Sequence, residues 1–144
     1  MERPKQAAFQ VSLKILLRND KNVLLTRGSE GDIDLPGGRI DVGEENMPFE
    51  DVVAREITEE LGKDVKFRLG PILFINRIDR SKYERWVLHI VFDAEYISGD
   101  IKLSDEHTSY KWVDRRLYQI SKKDFHAEDQ EKYETFKAYF DSLR

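Results

Sequence analysis

The chain has 144 residues, and its 40% hydrophobic and 11% aromatic content is enough to build a folded core and too high for a disordered protein. It contains no cysteine, which excludes disulfides, thiolate metal sites and thiol nucleophiles. The formal net charge of -4 argues against stable nucleic-acid binding through a basic surface. The N-terminal residues lack the apolar segment of a signal peptide, and the longest apolar run (residues 72–75) is too short to span a membrane. We therefore expect a cytoplasmic protein with a single domain over residues 1–144.

The first elements predicted along the chain are two strands. Residues 9–17 alternate between apolar and mostly polar side chains, which predicts a strand, and a polar turn separates them from a second strand over residues 23–26. Residues 28–34 are polar and contain glycine, so we predict a loop there. The Leu-Pro-Gly-Gly segment at residues 35–38 then requires a sharp backbone feature, because glycine adopts conformations that other residues avoid.

A helix is predicted next, with Asn46 as its cap, Pro48 in its first turn and Gly62 as its stop. Its apolar face is predicted from four residues that recur every four positions: Phe49, Val53, Ile57 and Leu61.

The second half of the chain alternates between strand and helix patterns. Residues 65–75 are apolar but are interrupted by a Gly-Pro pair, which predicts a bulge or two short strands. Residues 86–96 alternate cleanly and predict the longest strand, and a short strand around residues 110–112 precedes Asp114, the expected cap of a short helix. An amphipathic C-terminal helix within residues 128–144 is expected to pack on the sheet. Mixed strands and helices indicate an α/β or α+β fold.

Three carboxylates share one arc of the predicted central helix. At about 100° per residue, Glu56, Glu59 and Glu60 lie beside the apolar stripe and not opposite it, so they stand at the edge of the buried face. Like charges four residues apart destabilise a helix, and acidic residues near its C-terminus oppose its dipole. Such local conflicts are typical of functional sites, and clustered carboxylates are the ligands of hard divalent cations. An ordinary acidic surface helix is the alternative.

The wider segment resembles the signature of the Nudix hydrolases, G-x5-E-x7-R-E-U-x-E-E-x-G-U, where U is a bulky aliphatic residue. Gly38 and Glu44 match its first part, and residues 55–62 match its second part without a gap. Ten residues separate Glu44 from Arg55 where the pattern has seven, and Lys63 occupies the last aliphatic position. The apparent three-residue insertion leaves open whether Glu44 lies at the metal site or is displaced from it.

The resemblance implies an α/β/α sandwich with a mixed β-sheet, and metal-dependent hydrolysis of a diphosphate bond. The implied substrate is a nucleoside diphosphate linked to another moiety, such as a nucleoside triphosphate or a nucleotide sugar, and the implied cofactor is Mg²⁺ or Mn²⁺. The implied metal ligands are oxygen donors: the carbonyl of Gly37 or Gly38 and the carboxylates of Glu44, Glu56, Glu59 and Glu60. The residues implied in catalysis are Arg55, Glu56, Glu59, Glu60 and Glu106, with Arg55 orienting a carboxylate and either a helix glutamate or Glu106 as general base.

Three further residues are candidates for substrate contacts. Arg27 and Arg39 flank the predicted site in sequence and could hold phosphates, and Tyr83, in a polar turn, could stack on a base. His89 is predicted to be a structural histidine and His107 a solvated one.

Two other functions are alternatives on this fold. A related domain that binds a nucleotide without turnover would be favoured by loss of the helix carboxylates, and none is lost. Isoprenoid diphosphate isomerisation on this fold relies on a cysteine, which the chain lacks. A homodimer is compatible with the resemblance.

Overall fold

The computed structural model of the protein describes residues 2–105, 107 and 109–144. Its strands are β1 (Gln10–Asn19), β2 (Asn22–Arg27), β3 (Ile33–Asp34), β4 (Gly37–Arg39), β5 (Lys66–Arg80), β6 (Arg85–Ser98) and β7 (Ser109–Asp114). Its helices are α1 (Phe49–Leu61) and α2 (Gln130–Ser142), and 3₁₀ turns lie at Ser81–Tyr83 and Lys122–Asp124. Neither helix has the length and apolar character that crossing a membrane would require in the part of the chain described.

The described strands form one mixed sheet in the order β3-β2-β1-β6-β5, with β4 added alongside β1 and β7 alongside β2. β1 runs parallel to β6, and the pairs β1–β2, β1–β4 and β5–β6 are antiparallel. In this register Ser12 lies between Arg39 and His89, and Lys14 lies between Gly37 and Val91. The central strand therefore brings the glycine turn before α1 next to the middle of β6.

Helices cover both faces of the sheet, which makes the α/β/α sandwich that the sequence predicts. On one face Leu13, Ile15 and Leu17 pack with the apolar side of α1. On the other face Leu16 packs with Phe136 and Phe140 of α2. Both faces of β1 are buried, so the alternation of its sequence separates two cores and does not separate a core from solvent.

The predicted bounds of α1 are nearly right. The helix follows Pro48 and ends before Gly62, whose φ of 96° is a conformation that glycine adopts readily. The predicted cap at Asn46 is wrong, because Pro48 occupies the N-cap position and no side chain caps the helix. Phe49 is 45% exposed, and Val52 takes the buried position expected for it.

Other local predictions have mixed outcomes. A register shift between Leu69 and Ile72 confirms the bulge expected at the Gly-Pro pair, and β5 continues past it to become slightly longer than β6. The predicted loop over residues 28–34 ends in the short strand β3. The short helix expected after Asp114 is wrong: the Asp114 carboxylate accepts a hydrogen bond from the Arg116 amide in a turn that does not continue as a helix.

Candidate active site

The α2 face of the sheet is only partly covered, and its open end forms a cleft of about 480 Å³. Its floor consists of side chains from adjacent strands: Ser12 and Lys14 on β1, Val87 and His89 on β6, and Ile78 on β5. One wall is α1 with the glycine turn, and the opposite end is formed by Arg80 and Arg85 where β5 meets β6. The acidic arc of α1 therefore lines the cleft.

Two of the three predicted helix carboxylates are buried against the glycine turn. Glu56 and Glu60 are 8% and 4% exposed, whereas the Glu59 side chain is 58% exposed. The Gly37 amide donates a hydrogen bond of 2.8 Å to the Glu60 carboxylate. A Cβ on Gly38 would overlap the Glu56 carboxylate, so a larger residue at this position would displace it. The glycines of the turn thus leave room for the carboxylates of α1, and one of these carboxylates in turn bonds the turn's backbone.

Burial changes the acidity of both carboxyl groups. Burial raises the pKa of Glu60 to about 7, against the attraction of Lys14 and the Gly37 hydrogen bond. Burial also raises the pKa of Glu56, and the neighbouring Arg55 guanidinium only partly opposes this effect. Their ionised forms are incompletely compensated, and a bound cation would stabilise them.

Arg55 organises the remaining acidic groups. Its Nε and Nη2 atoms donate to both oxygens of Glu44, each at 2.6 Å, and this pairing lowers the pKa of Glu44. Its Nη1 atom lies 2.9 Å from Glu56 and 3.2 Å from Glu59. Glu44 therefore reaches the helix across the ten-residue spacing, but it is bound by Arg55 and does not line the cleft.

The donor set suits a hard divalent cation in its chemistry. It consists of oxygen atoms: the Glu56, Glu59 and Glu60 carboxylates and the backbone carbonyl of Gly38. Within the described residues no three Asp, Glu or His side chains already converge as a ligand cluster, and Glu59 is paired with Arg55. Glu106 lies outside the described residues.

A buried cation supports the glycine turn from the sheet side. Lys14 Nζ donates to the carbonyls of Leu35 and Gly37 at 3.2 and 3.1 Å, and lies 3.4 Å from Asp34. Lys132 and His107 approach the same carboxylate at 3.8 and 3.4 Å.

The shared carboxylate explains the acidities in this cluster. Burial would raise the pKa of Asp34, but Lys14, Lys132 and the His107 hydrogen bond hold it well below its usual range. The prediction that His107 is solvated is wrong, because its side chain is 4% exposed and the Asp34 hydrogen bond raises its pKa.

The opposite end of the cleft is basic. Arg80 donates to both oxygens of the buried Asp129, at 2.7 and 3.0 Å. His89 lines the floor, and burial together with repulsion from Lys14 holds its pKa well below the usual range. Its imidazole is therefore neutral near pH 7.

The fold brings most of the predicted site residues together at the cleft. Those that line it are Gly38, Arg39, Arg55, Glu56, Glu59 and Glu60. Arg27 instead pairs with Asp124 at 3.2 Å and lies outside the cleft lining. Tyr83 is exposed on the 3₁₀ turn between β5 and β6.

Sequence reasoning missed Lys14 and Arg85. Lys14 had a usable signal, a cation in the middle of an apolar strand. Arg85 had none, because its surroundings come from the pairing of β5 with β6.

The site and fold have counterparts in known proteins. Residues 8–136 match the model of the NUDIX domain family. The chain belongs to this family. Nucleoside triphosphatase NudI of Escherichia coli O81 (strain ED1a) is 30% identical over 111 residues, covering 68% of this chain and 77% of the relative. This NUDIX protein is accordingly a pyrophosphohydrolase that cleaves a diphosphate bond in a nucleotide-linked substrate, in a family that depends on divalent metals.

Solved structures agree on the fold of this NUDIX chain. The MutT protein from Methanosarcina mazei Go1 superposes with a TM-score of 0.71 and 29% identity, over 98% of this chain and 99% of the other. A MutT NUDIX hydrolase from Burkholderia pseudomallei gives a TM-score of 0.67 at 22% identity, over 89% and 98%. The second similarity is one of fold.

Proposed function

We propose that the protein hydrolyses nucleoside triphosphates at a diphosphate bond, using Mg²⁺ or Mn²⁺. The observation that carries the proposal is the pair of buried carboxylates, Glu56 and Glu60, held against the glycine turn in the wall of an open cleft. The choice of triphosphates is supported by the similarity to a nucleoside triphosphatase. Nucleotide sugars and related diphosphates are the alternative substrates.

In this proposal the metal is held by oxygen donors of the α1 wall: the Gly38 carbonyl and the carboxylates of Glu56, Glu59 and Glu60. A bound divalent cation supplies neutralisation of the diphosphate charge and activation of water. Glu44 is also an expected ligand. Both of its oxygens accept hydrogen bonds from Arg55, so it also holds that guanidinium in place. Arg55 in turn orients Glu56 and Glu59, to which it also binds.

The proton acceptor and the substrate contacts complete the proposal. The general base is either a helix glutamate or Glu106. Arg39 lines the cleft next to the carboxylates and donates only to Gln10 among the described side chains, so its guanidinium is available to a phosphate. Arg27 and Tyr83 would contact parts of a substrate that extend beyond the cleft. The protein is proposed to act in the cytoplasm without stable nucleic-acid binding, as a monomer or a homodimer, which sedimentation would distinguish.

The test is the release of phosphate and pyrophosphate from a panel of nucleoside triphosphates, nucleotide sugars and ADP-ribose, with Mg²⁺, Mn²⁺ or EDTA. The matched variants are Glu60→Gln, in the buried wall, and Glu50→Gln, at an exposed position of α1. We expect metal-dependent turnover that Glu60→Gln lowers by about 100-fold or more and Glu50→Gln leaves within about twofold.

Two outcomes would contradict the proposal. Turnover that persists in EDTA, or that is equal in both variants, would contradict the placement of a catalytic metal on α1. Nucleotide binding without turnover of any substrate would favour a ligand-binding domain.

A further inference from the structure

Two arginines face each other beside the 3₁₀ turn that connects β5 to β6, at the end of the cleft away from α1. Arg80 and Arg85 are cross-strand partners in the antiparallel register, and like charges in this position destabilise a sheet. The carboxylate of Asp129 neutralises Arg80. The described residues supply no carboxylate within ion-pair distance of Arg85, so this end of the cleft carries an uncompensated positive charge.

Arg85 also has an unused hydrogen-bond donor. Its Nε atom is buried and has no hydrogen-bond partner among the described residues. The guanidinium carbon lies over the Tyr83 ring, 5.7 Å from its centre, in a cation–π contact. A buried donor without an acceptor costs free energy, and a bound acceptor would recover it. The Arg85 side chain is thus held in place with its Nε donor unpaired among the described residues.

Arg85 lies within the length of one extended ligand from Arg39, the other arginine of the cleft without a described ion pair. Arg39 is in register with Ser12 and His89, and Arg85 lies four residues before His89. Strand spacings therefore place the Arg39 and Arg85 Cα atoms roughly 16 Å apart. Both long side chains line the same cavity. A ligand with several phosphates that lies against α1 can extend towards Arg85.

We propose that Arg85 binds the terminal phosphate of the substrate. This is the phosphate furthest from the bond that is cleaved beside α1. The guanidinium carries donors only, in a planar fork that matches phosphate oxygens. The enzyme then prefers nucleotides whose second moiety ends in a phosphate over those whose second moiety is a neutral sugar. This inference rests on the proposed function and adds the residue that selects the substrate class.

The first test compares kcat/KM for UTP and for UDP-glucose, which share a base and differ in their terminal group. The variants are Arg85→Gln, Arg85→Lys and the control Arg68→Gln, which alters an exposed arginine of β5 outside the cleft. We expect Arg85→Gln to lower kcat/KM for UTP by at least about tenfold and to change that for UDP-glucose by less than about twofold. Arg85→Lys should recover part of the loss. Equal losses for the two substrates, or a loss that follows the base and not the terminal phosphate, would overturn the inference.

The second test does not require turnover. Calorimetry in EDTA measures the binding of inorganic tripolyphosphate to the wild type, Arg85→Gln and Arg68→Gln. We expect binding that Arg85→Gln weakens by about tenfold and Arg68→Gln leaves unchanged. Thermal stability should change little in Arg85→Gln, because the variant loses no ion pair among the described residues and only the contact with the exposed Tyr83 ring. Equal binding by all three proteins, or none by the wild type at millimolar concentration, would count against the inference.

The two tests separate the inference from the proposed function. Arg85-dependent binding in a protein without turnover would contradict the proposed function alone. Normal turnover that is insensitive to Arg85→Gln would contradict the inference alone.

Discussion

Replacing Lys14 by methionine removes the buried cation that joins the glycine turn to β1. Methionine preserves most of the side-chain length, so the change tests the charge and its hydrogen bonds more than the packing. The Lys14 ammonium donates to the carbonyls of Leu35 and Gly37, and it pairs with Asp34. The two hydrogen bonds hold the glycine turn against which the α1 carboxylates pack. We expect Lys14→Met to destabilise the protein.

The contacts of Lys14 set the size of the effect. Hydrogen bonds from a charged donor contribute roughly 1.5–3 kcal/mol each, and the variant loses two of them, to carbonyls 3.1 and 3.2 Å away. Asp34 keeps Lys132 and His107, so it is not left as an unpaired charge. The variant also avoids the cost of burying an ammonium group, which offsets part of the loss. The free energy of unfolding should therefore fall by about 2–4 kcal/mol.

The assay is chemical denaturation at pH 7 of the wild type, Lys14→Met and the control Lys111→Met, which alters an exposed lysine of β7. The control should change the free energy of unfolding by no more than about 0.5 kcal/mol. A loss below about 1 kcal/mol in Lys14→Met would refute the reasoning, because it would mean that the two carbonyls do not depend on the ammonium group.

Three further predictions concern acidity, close packing and a buried ion pair. Burial raises the pKa of Glu60 from 4.5 to about 7, so between these pH values the folded metal-free protein binds more protons than the unfolded chain. Its free energy of unfolding should therefore fall by up to about 3 kcal/mol as pH rises from 4.5 to 7. Glu60→Gln, compared by denaturation in EDTA, should lack this contribution. Gly38→Ala should lower kcat by about 100-fold, since the new Cβ displaces the Glu56 carboxylate; an unchanged kcat would be inconsistent with this packing. Arg80→Ala should cost about 3 kcal/mol in thermal or chemical unfolding because it strands a fully buried carboxylate, whereas Arg77→Ala, with an exposed partner, should cost no more than about 1 kcal/mol; similar losses would argue against burial as the cause.

Local sequence determines much of this fold. Pro48 and Gly62 delimit α1 because proline suits a helix start and glycine readily adopts the positive φ at which the helix stops, and both effects act within a few residues. The bulge in β5 follows from a Gly-Pro pair for a similar reason. The sequence predicts a helix after Asp114 where the structure has a turn, because the same side chain caps both structures.

The site was predictable where its residues share one helix and unpredictable where they meet across the fold. The edge position of Glu56 and Glu60 follows from helical periodicity, and the structure buries both. The contact of Glu44 with Arg55 depends on the path of the intervening loop, which spacing alone left open. Burial of His107 on Asp34 depends on a loop meeting β3 across 73 residues, and no local pattern encodes that contact.

The most direct test of the central claim is Mn²⁺ binding, measured by electron paramagnetic resonance on wild type, Glu60→Gln and the α1 surface control Glu50→Gln. If the α1 wall holds the metal, wild type and control should bind Mn²⁺ alike and Glu60→Gln should bind it at least about tenfold more weakly. Equal affinity in all three proteins would contradict the account and place the metal elsewhere.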